Sequence, residues 1–183
     1  MPFEVQTGRL LLRDFSVSDA DSMFALNSDP EVIKYTGDPP FASISEARAF
    51  LNSYSHYSNH GYGRWAVERI ADQRFIGWSG LKLNEEQNVD LGFRFLRSEW
   101  NKGYATESAL ACLEIGFDML GLEEIVGRVV QANIVSIRVL EKIEMIYDKR
   151  APCDGLPDAL HYRISKSDWI RSGKRVVVKS SGI

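Results

Sequence analysis

The stretch Trp100-Asn-Lys-Gly-Tyr-Ala-Thr-Glu-Ser-Ala-Leu-Ala111 reads as a tight loop opening directly into a helix. The first backbone N–H groups of a helix have no partner within it, and the aligned peptide dipoles add partial positive charge at that end. Phosphate oxygens suit such a place. Gly103 lacks a Cβ and lets a ligand approach the main chain, Ala105 keeps the next turn narrow, Thr106 offers a hydroxyl and Lys102 a charge. An ordinary helix start explains the same residues, since Glu107 in the first turn is what the dipole alone would favour. The surroundings raise the stretch above that. A strand-like run, Val89-Asp-Leu-Gly-Phe-Arg-Phe-Leu96, stands before it, and Asn133-Ile-Val-Ser-Ile-Arg-Val-Leu-Glu-Lys142 follows after a further short strand.

Working outward, Ala105 to Met119 is predicted as the central helix, with Ala109, Leu113, Phe117 and Leu120 on its buried stripe and Gly121 at its end. Upstream, Arg64 to Ile70 and Arg74 to Leu83 flank Ala71-Asp-Gln73 as an antiparallel hairpin, to which Val89 to Leu96 adds a third strand. Thr7 to Arg13 reads as one first strand, and Ser16 to Asn27 and Ser45 to His56 as helices separated by Asp29-Pro30 and Thr36-Gly-Asp-Pro-Pro40. Downstream come a strand at Glu124 to Val130, a helix at Ser136 to Ile143, and strands at Met145 to Lys149 and Leu160 to Ser165. The sum is an α+β fold, a mostly antiparallel twisted sheet with helices on both faces. Residues 1–170 form one domain, and 171–183 are a tail that is either disordered or, through Lys174 to Lys179, an edge strand.

Composition narrows the classes. At 183 residues and 44% hydrophobic, the chain has room for one globular core and not two. A net charge of −3 argues against general nucleic-acid binding. Cys112 and Cys153 are too few for a disulfide framework, and no signal peptide or membrane span is visible, so a cytoplasmic location is expected. The sequence gives no reason to expect a thiol nucleophile at either cysteine, and no metal site is expected.

The segment from about Val89 to Lys142 resembles the core of the GCN5-related N-acetyltransferases (GNAT), nearest to the ribosomal-protein-alanine acetyltransferase branch. Gly92-Phe93 stands for that branch's Gly-Tyr strand end. Trp100 to Ser108 stands for Trp-Gly-Lys-Gly-Tyr-Ala-Thr-Glu-Ala, and Asn133 to Met145 for Asn-x-x-Ser-x-x-Val-Leu-Glu-Lys-x-Gly-Phe. Asn101 departs from glycine, and Glu144-Met145 from Gly-Phe.

The resemblance implies a splayed, mixed sheet and acetyl-CoA as cofactor, its pyrophosphate held by Lys102, Gly103, Tyr104, Ala105 and Thr106. Its amide-rich arm would pair along the exposed edge of the Phe93 to Arg97 strand, with Phe95, Leu96 and Arg97 as the contacts and Asn133 bonding the arm, although a plain helix cap also explains Asn133. The reaction implied is direct attack of a primary amine on the acetyl carbonyl in a ternary complex, with backbone donors near Phe95 or Leu96 stabilising the oxyanion. Asp90 is the first candidate for the base, a solvated strand carboxylate being its plain alternative. Ser136 is the candidate proton donor to the thiolate, because Leu140 stands where many members carry a tyrosine. Tyr35 and Trp78, with Trp65 and Tyr104, are candidates for an aromatic wall around an alkyl-ammonium, and Asp154, Asp158 and His161 for contacts to the acceptor. His56 and His60 read as surface residues. The acceptor is a peptide N-terminus or a small amine, and a monomer and a homodimer both fit. The rival reading is a non-catalytic acyl-CoA-binding sensor domain.

Overall fold

The computed structural model describes residues 3–153, 155–176 and 179–180. Its nine strands are β1 Glu4–Gln6, β2 Leu10–Arg13, β3 Arg64–Arg69, β4 Arg74–Leu83, β5 Val89–Phe95, β6 Glu124–Val130, β7 Ile146–Cys153, β8 Leu156–Ser165 and β9 Lys179–Ser180. The helices are α1 Ala20–Ser28, α2 Pro30–Ile33, α3 Ile44–Ser53, α4 His56–His60, α5 Tyr104–Glu114, α6 Ile134–Lys142 and α7 Lys166–Ser172. One sheet runs β7-β8-β6-β5-β4-β3-β2-β1-β9, antiparallel throughout except for β5 and β6. Parallel neighbours need a crossover, and α5 supplies it.

Strand alternation sends side chains to two cores. Trp65, Val67, Ile76 and Leu81 pack with α5, α6 and α7 on one face, whereas Ala66 and Phe75 pack with α1 and α3 on the other. The single strand expected at Thr7 to Arg13 is instead two. The Thr7 N–H donates to the Leu10 carbonyl at 2.8 Å and the Thr7 hydroxyl accepts from the Leu10 N–H at 3.1 Å, closing a turn at Thr7-Gly8-Arg9 between β1 and β2. The central helix begins at Tyr104 and continues beyond Glu114 as a π-helical stretch, Ile115–Met119. Glu144 does take a left-handed conformation, φ 67°, and α6 still closes: Ile143 and Met145 are buried on either side of it, and the Glu144 carboxylate pairs with Lys174 at 3.0 Å.

The helix α7 was not expected from the sequence. Ser165 caps it by accepting from the Asp168 N–H at 3.2 Å, and Trp169 is fully buried against Phe117, ring centroids 6.0 Å apart. Beyond it, β9 pairs with β1 through Val5–Ser180 and Gln6–Lys179. Replacing Trp169 with alanine empties a large core site and should cost about 3–5 kcal/mol. The check is the urea midpoint: a wild-type midpoint in Trp169→Ala would place α7 outside the cooperative core.

Candidate functional site

The strands β5 and β6 touch through one register pair, Asp90–Val126. On its other side β5 stays in ladder with β4 from Val89 to Phe95, and the Leu96 N–H extends that ladder by donating to the Ile76 carbonyl at 2.9 Å. Backbone groups alternate direction along an antiparallel strand, so Leu96, Arg94 and Gly92 bond towards β4. Phe93 and Phe95 therefore turn their N–H and C=O groups towards the gap left by β6. The Phe95 carbonyl accepts there from the Trp100 indole N–H at 2.9 Å. Leu96 is accordingly corrected: its N–H is committed to the ladder and is no free donor, whereas that of Phe93 faces the gap. Arg97, expected on this edge, lies in the next turn, exposed, with its guanidinium 3.2 Å from Asp29.

The chain then turns into α5. Gly103 is the N-cap with φ 82°, a conformation that a Cβ would strain, and among the described residues no side chain caps this helix start. Asn101 also sits at positive φ, 61°, which asparagine tolerates. The loop is held from below. Lys102 bonds the buried Glu99 at 3.0 Å, and Arg69 reaches the same carboxylate at 2.8 Å. Burial opposes the Glu99 charge, but the Lys102 hydrogen bond and the Arg69 charge outweigh it and leave this carboxyl below its ordinary value. From the side, Arg9 donates to the Lys102 carbonyl at 3.0 Å and to Glu107 at 2.7 Å, with its guanidinium 4.7 Å from the centre of the Tyr104 ring. Tyr104 is buried and Ala105 and Thr106 are half-buried on the first turn.

A cleft of about 750 Å³ spans β4, β5 and β6 and is closed at one end by α1, α3 and the loop between them. Tyr35, Trp78, Asp90, Asn133 and Ser136 all line it. Asn133 caps α6, its side-chain oxygen accepting from the Ser136 N–H at 3.2 Å. The floor is built around arginines that the sequence reading did not single out. Arg64 lies over the bare backbone of Gly92, where a Cβ would come within 2.6 Å of the guanidinium carbon. It bonds the Asp90 carboxylate and carbonyl, each at 3.1 Å, and the Gly80 carbonyl. The second Asp90 oxygen accepts from Arg128 at 2.6 Å. Trp78 has Arg64 and Arg94 each 5.2 Å from its ring centre, and Arg94 is held by Asn27 and, at 2.6 Å, by Asp38. Burial pulls the Arg94 guanidinium below its ordinary value, while the Asp38 carboxylate supports its charge. Tyr54 and Tyr57 fix the Arg64 backbone, the first accepting from its N–H at 2.7 Å and the second donating to its carbonyl; burial raises both phenols.

Several expected residues lie elsewhere. Asp158 pairs with Arg150 beside a separate shallow depression, and the buried His161 sits at hydrogen-bond distance from the Ala151 carbonyl, 3.3 Å; neither lines the cleft. Both belong to the pairing of β8 with its neighbours. Asp154 lies outside the described residues. Trp65 is buried in the opposite core, stacked on Phe3. His56 is not a bare surface residue: its Nε2 accepts from the Leu83 N–H at 3.3 Å and its Nδ1 lies 2.9 Å from the Tyr62 carbonyl, which fits the neutral Nδ1–H tautomer. The buried Cys112 thiol is pushed up to about 12 by desolvation and stays protonated. Among the described residues no cluster of metal-ligating side chains is present, and no helix is long and apolar enough to cross a membrane.

The chain matches the Acetyltransferase (GNAT) domain family over residues 9–146. It is 31% identical over 140 residues to the uncharacterized N-acetyltransferase p20 of Bacillus licheniformis, covering 75% of this chain and 79% of that one. A crystallised GNAT-family acetyltransferase from Bacillus anthracis superposes with a TM-score of 0.78 at 28% identity, covering 90% of this chain and 99% of that one. The spermidine N-acetyltransferase of Vibrio cholerae, solved with CoA and spermine, shares the fold with a TM-score of 0.74 at 20% identity, covering 88% and 98%. This protein belongs to the GNAT family and is an N-acetyltransferase.

Gly92 tests the floor directly. The Arg64 guanidinium is bonded to three acceptors and cannot swing aside freely, so Gly92→Ala should displace it and cost about 1–3 kcal/mol. A variant with the wild-type melting temperature and the Arg64–Asp90 contact intact in its crystal structure would show that the floor has room to spare.

Proposed function

We propose that the protein transfers the acetyl group of acetyl-CoA to a primary amine, of a peptide N-terminus or a small molecule, by direct attack in a ternary complex. The observation that carries this reading is the parting of β5 from β6 beside an uncapped helix start. It supplies two unlike needs of one elongated ligand: strand-edge amides for an amide-rich arm, and bare N–H groups for phosphate oxygens. The left-handed Gly103, which a side chain would strain and obstruct, fits that use.

In this reading Lys102 to Thr106 hold the pyrophosphate, with Arg9 and Glu99 fixing the loop rather than touching the ligand. Phe93 and Phe95 pair with the arm, and their N–H groups are positioned to stabilise negative charge on the acyl oxygen. Acetyl-CoA supplies a thioester carbonyl that a neutral amine can attack. Ser136, lining the cleft near Asn133, is the hydroxyl we assign to the departing sulfur; with a thiol pKa of about 8.5 that help is modest. Asp90 we assign to positioning. Both of its oxygens are taken by guanidinium groups, so water, and not this carboxylate, receives the proton of the amine. The fold shared with an enzyme solved with CoA and spermine agrees with an amine acceptor.

Measuring thiol release from acetyl-CoA against a panel of amines tests the proposal. Tight binding without release from any amine would leave a sensor domain in its place. Gly103→Leu should weaken acetyl-CoA binding by about tenfold or more, a loss of roughly 1.4 kcal/mol, read as a smaller ligand-induced rise in melting temperature. An undiminished rise would remove the loop from the account.

The pH dependence separates the two roles of Asp90. If the acceptor amine loses its proton to solvent, kcat/KM rises with pH through the amine's own pKa, about 8 for an α-amine and about 10.4 for a lysine side chain. Asp90→Asn should keep that rise in place while lowering stability by about 1–3 kcal/mol, because two buried guanidinium groups lose the one buried carboxylate they share. A flattened or displaced rise would return Asp90 to the role of base.

A further inference from the structure

The charges that line the cleft sit at unequal depths. The side chains of Arg64, Arg94 and Arg128 are only 15%, 10% and 10% exposed. One carboxylate shares their depth, Asp90 at 9%. Their other acidic partners reach in from solvent: Asp38 is 59% exposed and Glu85 73%. Among the described residues that line the cleft, Asp38, Glu46, Glu85 and Asp90 answer Arg64, Lys82, Arg94 and Arg128, so the charges are equal in number and differ in depth: three of the cations are buried and one of these carboxylates is.

Trp78 sharpens the point. An aromatic face in an acceptor cleft could bind an alkyl-ammonium, which was the expectation for this residue. Here the ring already has two guanidinium groups about it. A second, cationic centre of a polyamine would be a further positive charge beside Arg64 and Arg94, at short range and away from bulk water, where like charges repel strongly. A carboxylate placed against Arg94 meets a charge of opposite sign, as the carboxylate of Asp38 does.

Arg94 also shows which anion fits. It already holds a carboxylate, that of Asp38, at 2.6 Å, and Asn27 accepts from its other terminal nitrogen. Asp38 belongs to the segment between α2 and α3, next to Gly37 at φ 74° and followed by Pro39-Pro40, with no helix or strand to fix it. Planar guanidinium forks suit carboxylates, and one carboxylate can replace another without leaving the cation bare.

We propose that the acceptor amine carries a carboxylate, and that Arg94 receives this group in place of Asp38. The inference rests on the acetyl-transfer reading above and names the acceptor class for that site. Arg64 and Trp78 complete the wall, while Asp38 occupies the subsite until the acceptor arrives.

The test uses the full chain with acetyl-CoA and matched amines: α-amino acids against their α-amides, dipeptides ending in glutamate side chains against their glutamine counterparts, and spermidine as the polycation. At least one acid should exceed its amide by about tenfold or more in kcat/KM, since a site built for a polar group rejects the analogue that lacks it. In Arg94→Gln that preference should largely vanish, because KM rises several-fold more for the acid than for its amide. Asp38→Asn should lower the KM for the acid, because the competing carboxylate is gone. A wild-type preference for amides or spermidine overturns the proposal and leaves acetyl transfer standing; absence of thiol release with every amine removes both. An acid preference that survives Arg94→Gln overturns it too. Should that variant fail to fold, Asp38→Asn decides alone: an unchanged or higher KM for the acid means that Asp38 is a structural clamp and the proposal falls.

Discussion

Asp90 stands where the sheet divides. Its backbone forms the one register pair between β5 and β6, and its carboxylate reaches Arg64 of β3 on one side and Arg128 of β6 on the other. The side chain thus ties together, across three strands, the two halves of a sheet whose main-chain ladder ends at that residue. Past this point the strands can separate without loss of the fold, because each is fully paired on its far side, β5 with β4 and β6 with β8. A buried pair of this kind is weak evidence for net stability, as desolvation offsets much of the attraction. Its value here lies in placement: it fixes where pairing stops, and hence where unpaired amides begin.

The elements around the gap were legible because they depend on local signals. The hairpin of β3 and β4 follows from alternating runs either side of a polar turn, β6 from Glu124 to Val130 matches its expected span, and the loop into α5 carries asparagine and glycine at its two positions of positive φ. What stayed hidden was non-local or short. The turn dividing β1 from β2 depends on one threonine hydroxyl, and α7 is only seven residues long, with one fully buried tryptophan to mark it.

The site divides in the same way. Gly103, Asn133 and Ser136 could be named from their loop and helix starts. The arginines could not, because Arg64, Arg94 and Arg128 come from three strands and meet only when the sheet forms. The period of two on β5 held a hint, since it puts Asp90, Gly92 and Arg94 on one face and leaves a bare patch between two charges. Asp158 and His161 lie outside the cleft for the complementary reason: polar residues in a late strand look available until cross-strand partners claim them.

In the proposed reading, one strand therefore serves both sides of the reaction. The side chains of β5 at even positions, Asp90 and Arg94 with Gly92 between them, lie on the face that carries Trp78 and Arg64, while the backbone of Phe93 and Phe95 turns in the sheet plane towards the gap. Cleft-facing charge and gap-facing amides are interleaved residue by residue, so neither can move without the other. Gly92 is the position at which the two demands meet. A side chain there would push Arg64 off the floor, and the strand would lose the flat stretch over which an acceptor could approach the unpaired amides. Small size at that residue is a requirement of the Arg64 floor, and in the proposed reading it is imposed on a strand whose edge serves the donor.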